Sequence, residues 1–184
     1  MKKMTALMAL LLAAVLTLAA CGSEETSKSS GDTGTANAKF NDADVTFATD
    51  MIPHHEQAVQ MSQMASSQAH SAQVKNLADD IAAAQGPEID TMTQWLKDWG
   101  QDAPSDHMDH GDMGHGSSDE MPGMMDADDM GRLGRAHGGD WDHMFLTMMI
   151  AHHEGAIEMA KTEQADGKNA DAVALAKKIE ATQT

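Results

Sequence analysis

The sequence predicts an all-α protein: a four-helix bundle built from a duplicated helical hairpin. The first observation is a repeat, because the stretch at 51–61 recurs at 149–159 with its His-His-Glu core intact. The second is that apolar residues recur at helical spacing around both copies. A repeat with this long a period predicts two similar units that bury one shared face, here about a pseudo-two-fold axis.

Capping residues place the first hairpin. Asn41 or Asp42 can cap a helix over about 42–69, and Ser71 can cap the next one. Pro53 lies inside the first helix, and we expect it to kink the helix or to mark a late start.

Helix-breaking glycine and proline residues and helix-capping residues divide the rest of the chain into elements. We expect Gly86-Pro87 to interrupt the second helix. Asp126 can cap a short helix, and Gly138-Gly139 precedes a third long helix over about 140–165. Asn169 opens the last helix.

The helical rotation of about 100° per residue predicts which histidines face the core. His54 shares a face with Met51 and Met61, while His55 lies at the edge of that face. The second copy repeats this pattern, with His152 inward and His153 at the edge. The predicted metal ligands of the bundle are Met51, His54, His55, Met61, Met148, Met149, His152, His153 and Met159.

The ligand types favour Cu(I), because thioether and imidazole suit soft Cu(I) better than hard cations. Zinc sites usually use thiolate, imidazole or carboxylate, and the chain has one cysteine. The alternative is structural: a methionine stripe can fill a core, and buried histidines can be satisfied by hydrogen bonds.

The N-terminal segment predicts export. Residues 1–21 combine Lys2 and Lys3 with an apolar run too short to span a membrane comfortably. They end in Leu18-Ala19-Ala20-Cys21, which resembles a bacterial lipobox and implies lipidation of Cys21 and anchoring to the outer face of the cell membrane. A simple secretory signal is the alternative. Residues 22–39 are polar and predict a flexible tether.

The remaining chain, 40–184, predicts one acidic metal-binding domain. The formal net charge of −17 makes nucleic acid and anionic lipid surfaces unsuitable partners and favours cations. A loop at 101–130 is rich in His, Met and Asp, which suggests further metal sites, although a disordered acidic linker would have a similar composition. The predicted ligands of this loop are His107, Met108, His110, Met113 and His115.

Three segments carry a family resemblance: Met-Ile-Pro-His-His-Glu, Met-Met-Ile-Ala-His-His-Glu-Gly-Ala-Ile-Glu-Met, and Met-Pro-Gly-Met-Met ahead of the second. Together they resemble domain-of-unknown-function family 305 over roughly 40–184. The resemblance implies a ferritin-like four-helix bundle, export, and copper binding or copper resistance. The chain departs from an even duplication in its last helix, which ends before any counterpart of Glu88 and Met92.

These features predict a copper-binding lipoprotein for copper buffering, resistance or transfer, with a metal-transfer protein as a partner. A ferritin-like redox or oxygen-binding protein with a di-metal centre is the alternative. It fits less well, because Glu56 and Glu154 lie about 200° around the helix from the inward histidines. A surface protein without a metal role is a third hypothesis. The sequence shows no nucleophile–base pair, and we expect no enzymatic activity.

Overall fold

The computed structural model describes residues 39–104 and 121–184. In these two ranges the chain forms five α-helices and no strand, which confirms the predicted all-α bundle. The helices are α1 (Asp42–Gln68), α2 (Ala72–Asp98), α3 (Ala127–Arg135), α4 (Gly138–Asp166) and α5 (Ala170–Gln183). None of these helices is both long and apolar enough to cross a bilayer. Several predicted functional residues lie outside the described ranges: Cys21, His107, Met108, His110, Met113 and His115.

Side-chain caps begin four of the helices where the sequence predicts them. Asn41 starts α1 with a capping box, in which it exchanges hydrogen bonds with Asp44. Ser71, Asp126 and Asn169 accept hydrogen bonds from the first backbone N–H groups of α2, α3 and α5. These caps satisfy N–H groups that the first turn of a helix leaves without partners.

One expectation about proline is wrong, because helix α2 continues through Gly86-Pro87 without a break. Pro53 lies inside α1, which begins at Asp42 as the capping residues predict, so Pro53 does not mark a late start. The cost of the missing N–H at Pro87 is outweighed by burial on both sides of it. Ile81 packs in one core cluster before this point, and Met92 packs in another after it.

The core consists of two clusters along the bundle. One cluster centres on Met61, Leu133 and Trp141, and the other on Met51 and Leu96. In both α1 and α4 the His-His pair falls between the residues that belong to these two clusters. The histidines therefore lie at the middle of the bundle, where α1 and α4 pack together.

The duplication is visible in two equivalent aspartates, both buried. The carboxylate oxygens of Asp142 accept hydrogen bonds from the backbone N–H groups of residues 70 and 71, between α1 and α2, at N···O distances of 2.9 and 2.8 Å. A carboxylate oxygen of Asp44 accepts hydrogen bonds from the backbone N–H groups of residues 168 and 169, between α4 and α5, at 3.1 and 2.8 Å. Each hairpin thus holds the connection of the other, which is the arrangement expected for two copies around a pseudo-two-fold axis.

Candidate metal centre

A pair of imidazoles lies at the contact between α1 and α4. The ring centroids of His54 and His152 are 3.7 Å apart, with an angle of 40° between the ring planes. Both side chains have no solvent exposure, as the predicted inward face requires. The ring of His153 lies 6.3 Å from that of His152.

His55 differs from its predicted edge position, because it is fully buried. Its Nε2 lies 2.8 Å from Oε2 of Glu88 in α2, and Nζ of Lys178 lies 3.0 Å from the other oxygen of Glu88. The reason is that α2 continues past Pro87 and covers this side of α1. Burial raises the pKa of Glu88, but the bonds from His55 and Lys178 outweigh this effect and hold its pKa below the ordinary value.

Sequence reasoning did not identify Glu88 as part of the site. A signal was present, because Glu88 lies at helical spacing between the buried Gln85 and Met92. A carboxylate on the buried face of a helix requires a partner, and here that partner is the imidazole of His55.

His153 keeps the edge position that the sequence predicts. It is half-buried and lines an open groove beside Leu77 and Ile150, two of the exposed large apolar side chains. His153 is therefore the histidine of the four that lies nearest to solvent.

The imidazoles of three of these histidines are neutral at pH 7. Burial, and to a smaller extent the neighbouring imidazoles, lower the pKa of His54 to about 4, of His152 to about 2 and of His153 to about 4. A neutral imidazole has a lone pair for a metal ion, so metal binding here does not have to displace a proton.

Several buried ring nitrogens have no hydrogen-bond partner. In His152 this applies to both ring nitrogens, and in His54, His55 and His153 to Nδ1. An unpartnered buried polar atom costs about 1–3 kcal/mol. A cluster of such atoms at one place is therefore a feature that a bound ion would explain.

The structure brings methionines to both sides of the imidazole pair. Met51 and Met61 have no exposure, and Met149 and Met148 have 4% and 8%. Met61, Met148 and Met149 belong to one core cluster, while Met51 belongs to the other. The remaining predicted ligand, Met159, packs beside the second cluster but is half-buried.

Carboxylates contribute little to this centre. Glu154 is exposed and Glu56 is half-buried, in agreement with their predicted outward directions. In the described ranges no three side chains drawn from His, Cys, Asp and Glu are placed to hold one ion together. For an ion bound here by one or two imidazoles, the buried methionine sulfurs are candidate additional ligands.

The family model for "Domain of unknown function (DUF305)" matches residues 44–184. The chain belongs to the DUF305 family. No curated protein sequence matches the chain. Among solved structures, it is similar to a secreted DUF305 protein of Streptomyces coelicolor, with 33% identity and a TM-score of 0.67, over 77% of this chain and 85% of that one.

Two further structures resemble this DUF305 chain. A DUF305 fragment from Deinococcus radiodurans has 26% identity and a TM-score of 0.67, over 78% of this chain and 89% of that one. CopM in its Cu(I)-bound form has 27% identity and a TM-score of 0.60, over 76% of this chain and 86% of that one. CopM structures also exist with Cu(II) and with silver. These likenesses are consistent with copper binding and with export of this DUF305 protein.

Proposed function

We propose that this DUF305 protein binds copper as Cu(I), through methionine and histidine side chains where α1 meets α4. The observation that carries the proposal is the close pair of His54 and His152, whose imidazoles are buried and neutral and have three ring nitrogens without a hydrogen-bond partner. Buried methionines on both sides supply the soft thioether ligands that Cu(I) prefers. The Cu(I)-bound and silver-bound forms of CopM support the same choice, since both are soft monovalent ions.

The role that follows is binding rather than catalysis. We assign the protein to copper buffering, resistance or transfer outside the cytoplasm, with a metal-transfer protein as its partner. The ligands lie on the helices of a packed bundle, which favours retention of a metal ion. The described residues place one carboxylate, Glu88, against the histidines, whereas di-iron bundles use several. The geometry therefore favours copper binding over a di-metal carboxylate centre.

Localisation at the membrane surface is a further part of the proposal. The lipobox-like Leu18-Ala19-Ala20-Cys21 supports lipidation of Cys21 and an anchor on the outer face of the cell membrane. Mass spectrometry of Cys21 in protein from the native membrane tests this assignment, and an unmodified Cys21 in the mature protein would contradict it.

A competition titration tests the metal assignment. We expect the purified protein to take Cu(I) from a chelator of known affinity, and to bind Zn(II) more weakly, because the site is rich in thioether and lacks thiolate. Tight Zn(II) binding with no measurable affinity for Cu(I) would overturn the proposal.

A further inference from the structure

Residues 121–125, called the strap below, form a tight turn ahead of α3. The backbone N–H of Met124 donates to the carbonyl of Met121 at 3.2 Å. Pro122 and Gly123 occupy the central positions, and Gly123 has a φ of +77°. This is the pattern of a type II turn, in which proline comes first and the following glycine adopts positive φ.

One side of the strap is bound by a glutamine of α1. The side-chain Nε2 of Gln57 donates to the carbonyl of Met125 at 2.8 Å, and the N–H of Met125 donates to Oε1 of Gln57 at 2.7 Å. Gln57 is buried, with 7% exposure. A single side chain therefore satisfies both polar backbone groups of one strap residue.

The other side of the strap lies directly on the backbone of α4. A Cβ atom added at Gly155 would lie 1.9 Å from the carbonyl oxygen of Pro122. A Cβ atom added at Gly123 would lie 2.5 Å from the carbonyl oxygen of Ala151. The two backbones can approach this closely because both positions are glycine.

Gln57 and Gly155 are equivalent positions of the repeat, because each follows its His-His-Glu sequence directly. The two copies differ here in a way that matches the strap, which crosses only once between α1 and α4. In α1 the side chain of Gln57 binds the strap. In α4 the equivalent residue is Gly155, which has no side chain to collide with the strap.

The strap contacts the metal centre through one atom. The carbonyl oxygen of Pro122 lies 3.1 Å from Nε2 of His54. Because a carbonyl oxygen can only accept a hydrogen bond, Nε2 must carry the proton. In the neutral ring the lone pair is then on Nδ1, which has no partner.

We propose that Gln57 and Gly155 are positioning residues that seat the strap, so that the Pro122 carbonyl holds His54 in the Nε2–H tautomer with Nδ1 as its metal-binding nitrogen. This inference rests on the proposed copper function. Outer hydrogen bonds of this kind orient ligating histidines, and their removal typically costs about 10–100-fold in metal affinity.

Two variants of the full protein test the strap from its two sides. Gln57→Leu removes both hydrogen bonds to Met125 with little change in side-chain size, and Gly155→Gln places a side chain where the strap lies. We expect each variant to bind Cu(I) about 10–100-fold more weakly, with unchanged helix content by circular dichroism. Gln60→Leu is the matched control, since Gln60 is exposed on the same helix and should retain full affinity.

Nitrogen NMR of the metal-free protein gives a readout that does not depend on copper. In the wild type we expect the His54 proton on Nε2, protected from exchange with water, and in both strap variants we expect this protection to fall.

A wild-type proton on Nδ1 would overturn the inference, as would unchanged Cu(I) affinity in both strap variants. If the wild type bound no Cu(I), the proposed function would fail, whereas the NMR result would still decide whether the strap sets the His54 tautomer. If Gly155→Gln does not fold, Gln57→Leu alone decides the result.

Discussion

The two hairpins carry the same motif but give its second histidine different surroundings. His55 is fully buried and bound to Glu88, whereas His153 is half-buried and lines a groove. Over α1 the covering surface comes from α2, which carries Glu88, Met92 and Leu96 on its buried face. A repeated sequence therefore places equivalent histidines at equivalent backbone positions, and the environment of each depends on which helix covers it.

The largest expected effect separates the first histidine of each His-His pair from the second. Replacing both His54 and His152 with Ala should lower Cu(I) affinity more than about 100-fold, because it removes the close imidazole pair between α1 and α4. Replacing His55 and His153 should cost about 10-fold, the lower end of the range for supporting groups. Chelator competition measures both, and circular dichroism should show nearly unchanged helix content, since Ala is a good helix former.

His143→Ala is the control for these variants, because His143 is exposed on α4. A greater loss on replacing His55 and His153 than on replacing His54 and His152 would contradict this assignment of roles. Equal losses would mean that all four histidines bind metal.

A smaller effect compares the two aspartates that hold the connections. Asp142→Ala and Asp44→Ala should each lower the free energy of unfolding by about 1–3 kcal/mol, since each leaves backbone N–H groups without their partner. Asp44→Ala should cost more, because Asp44 also accepts the N–H of Asn41. Urea denaturation measures this, with the exposed Asp42 replaced by Ala as the control. A greater loss at Asp142 would contradict the additional stabilisation assigned to the bond between Asp44 and Asn41.

The smallest expected effect is a pH-dependent change in stability. It comes from a buried glutamate of the second hairpin whose equivalent position in the first hairpin has no carboxyl group. Glu163 is 1% exposed, and its equivalent in the first hairpin is Ala65. Burial, with smaller contributions from the nearby carboxylates of Asp44 and Asp166, raises the pKa of Glu163 from 4.5 to about 8. The folded state therefore binds this proton more tightly, so its contribution to stability is complete below pH 4.5 and is lost as the pH rises to about 8.

Glu163→Gln should remove this contribution, and the variant should lose less stability than the wild type between pH 5 and pH 8. Thermal unfolding at the two pH values measures the difference. Identical losses in both proteins would show that Glu163 is not protonated in the folded state.

Much of the candidate metal centre could be predicted from the sequence. The inward direction of His54 and His152 follows from helical rotation and from the apolar residues that share their face, and both side chains are buried. The caps at Ser71, Asp126 and Asn169 follow from local hydrogen bonding. Local rules succeed here because each of these features depends on residues within about one turn of helix.

Features that depend on distant residues could not be predicted in this way. Local sequence rules predict that α2 ends at Gly86-Pro87, yet α2 continues through these residues and packs against α1 on both sides of them. The contact of Glu88 with His55, and the contact of the strap with His54, join residues 33 and 68 positions apart. No local periodicity encodes such pairs.

The sequence by itself determined the helical period, the duplication, the caps and the methionine and histidine residues that share one helix face, because all of these depend on residue type and spacing along one chain. Only the tertiary structure decided which second histidine is covered, which carboxylate reaches it and where the strap crosses the bundle. Those outcomes depend on burial between helices, where the covering surface comes from a distant part of the chain. The same His-His-Glu sequence therefore has two different environments in one molecule.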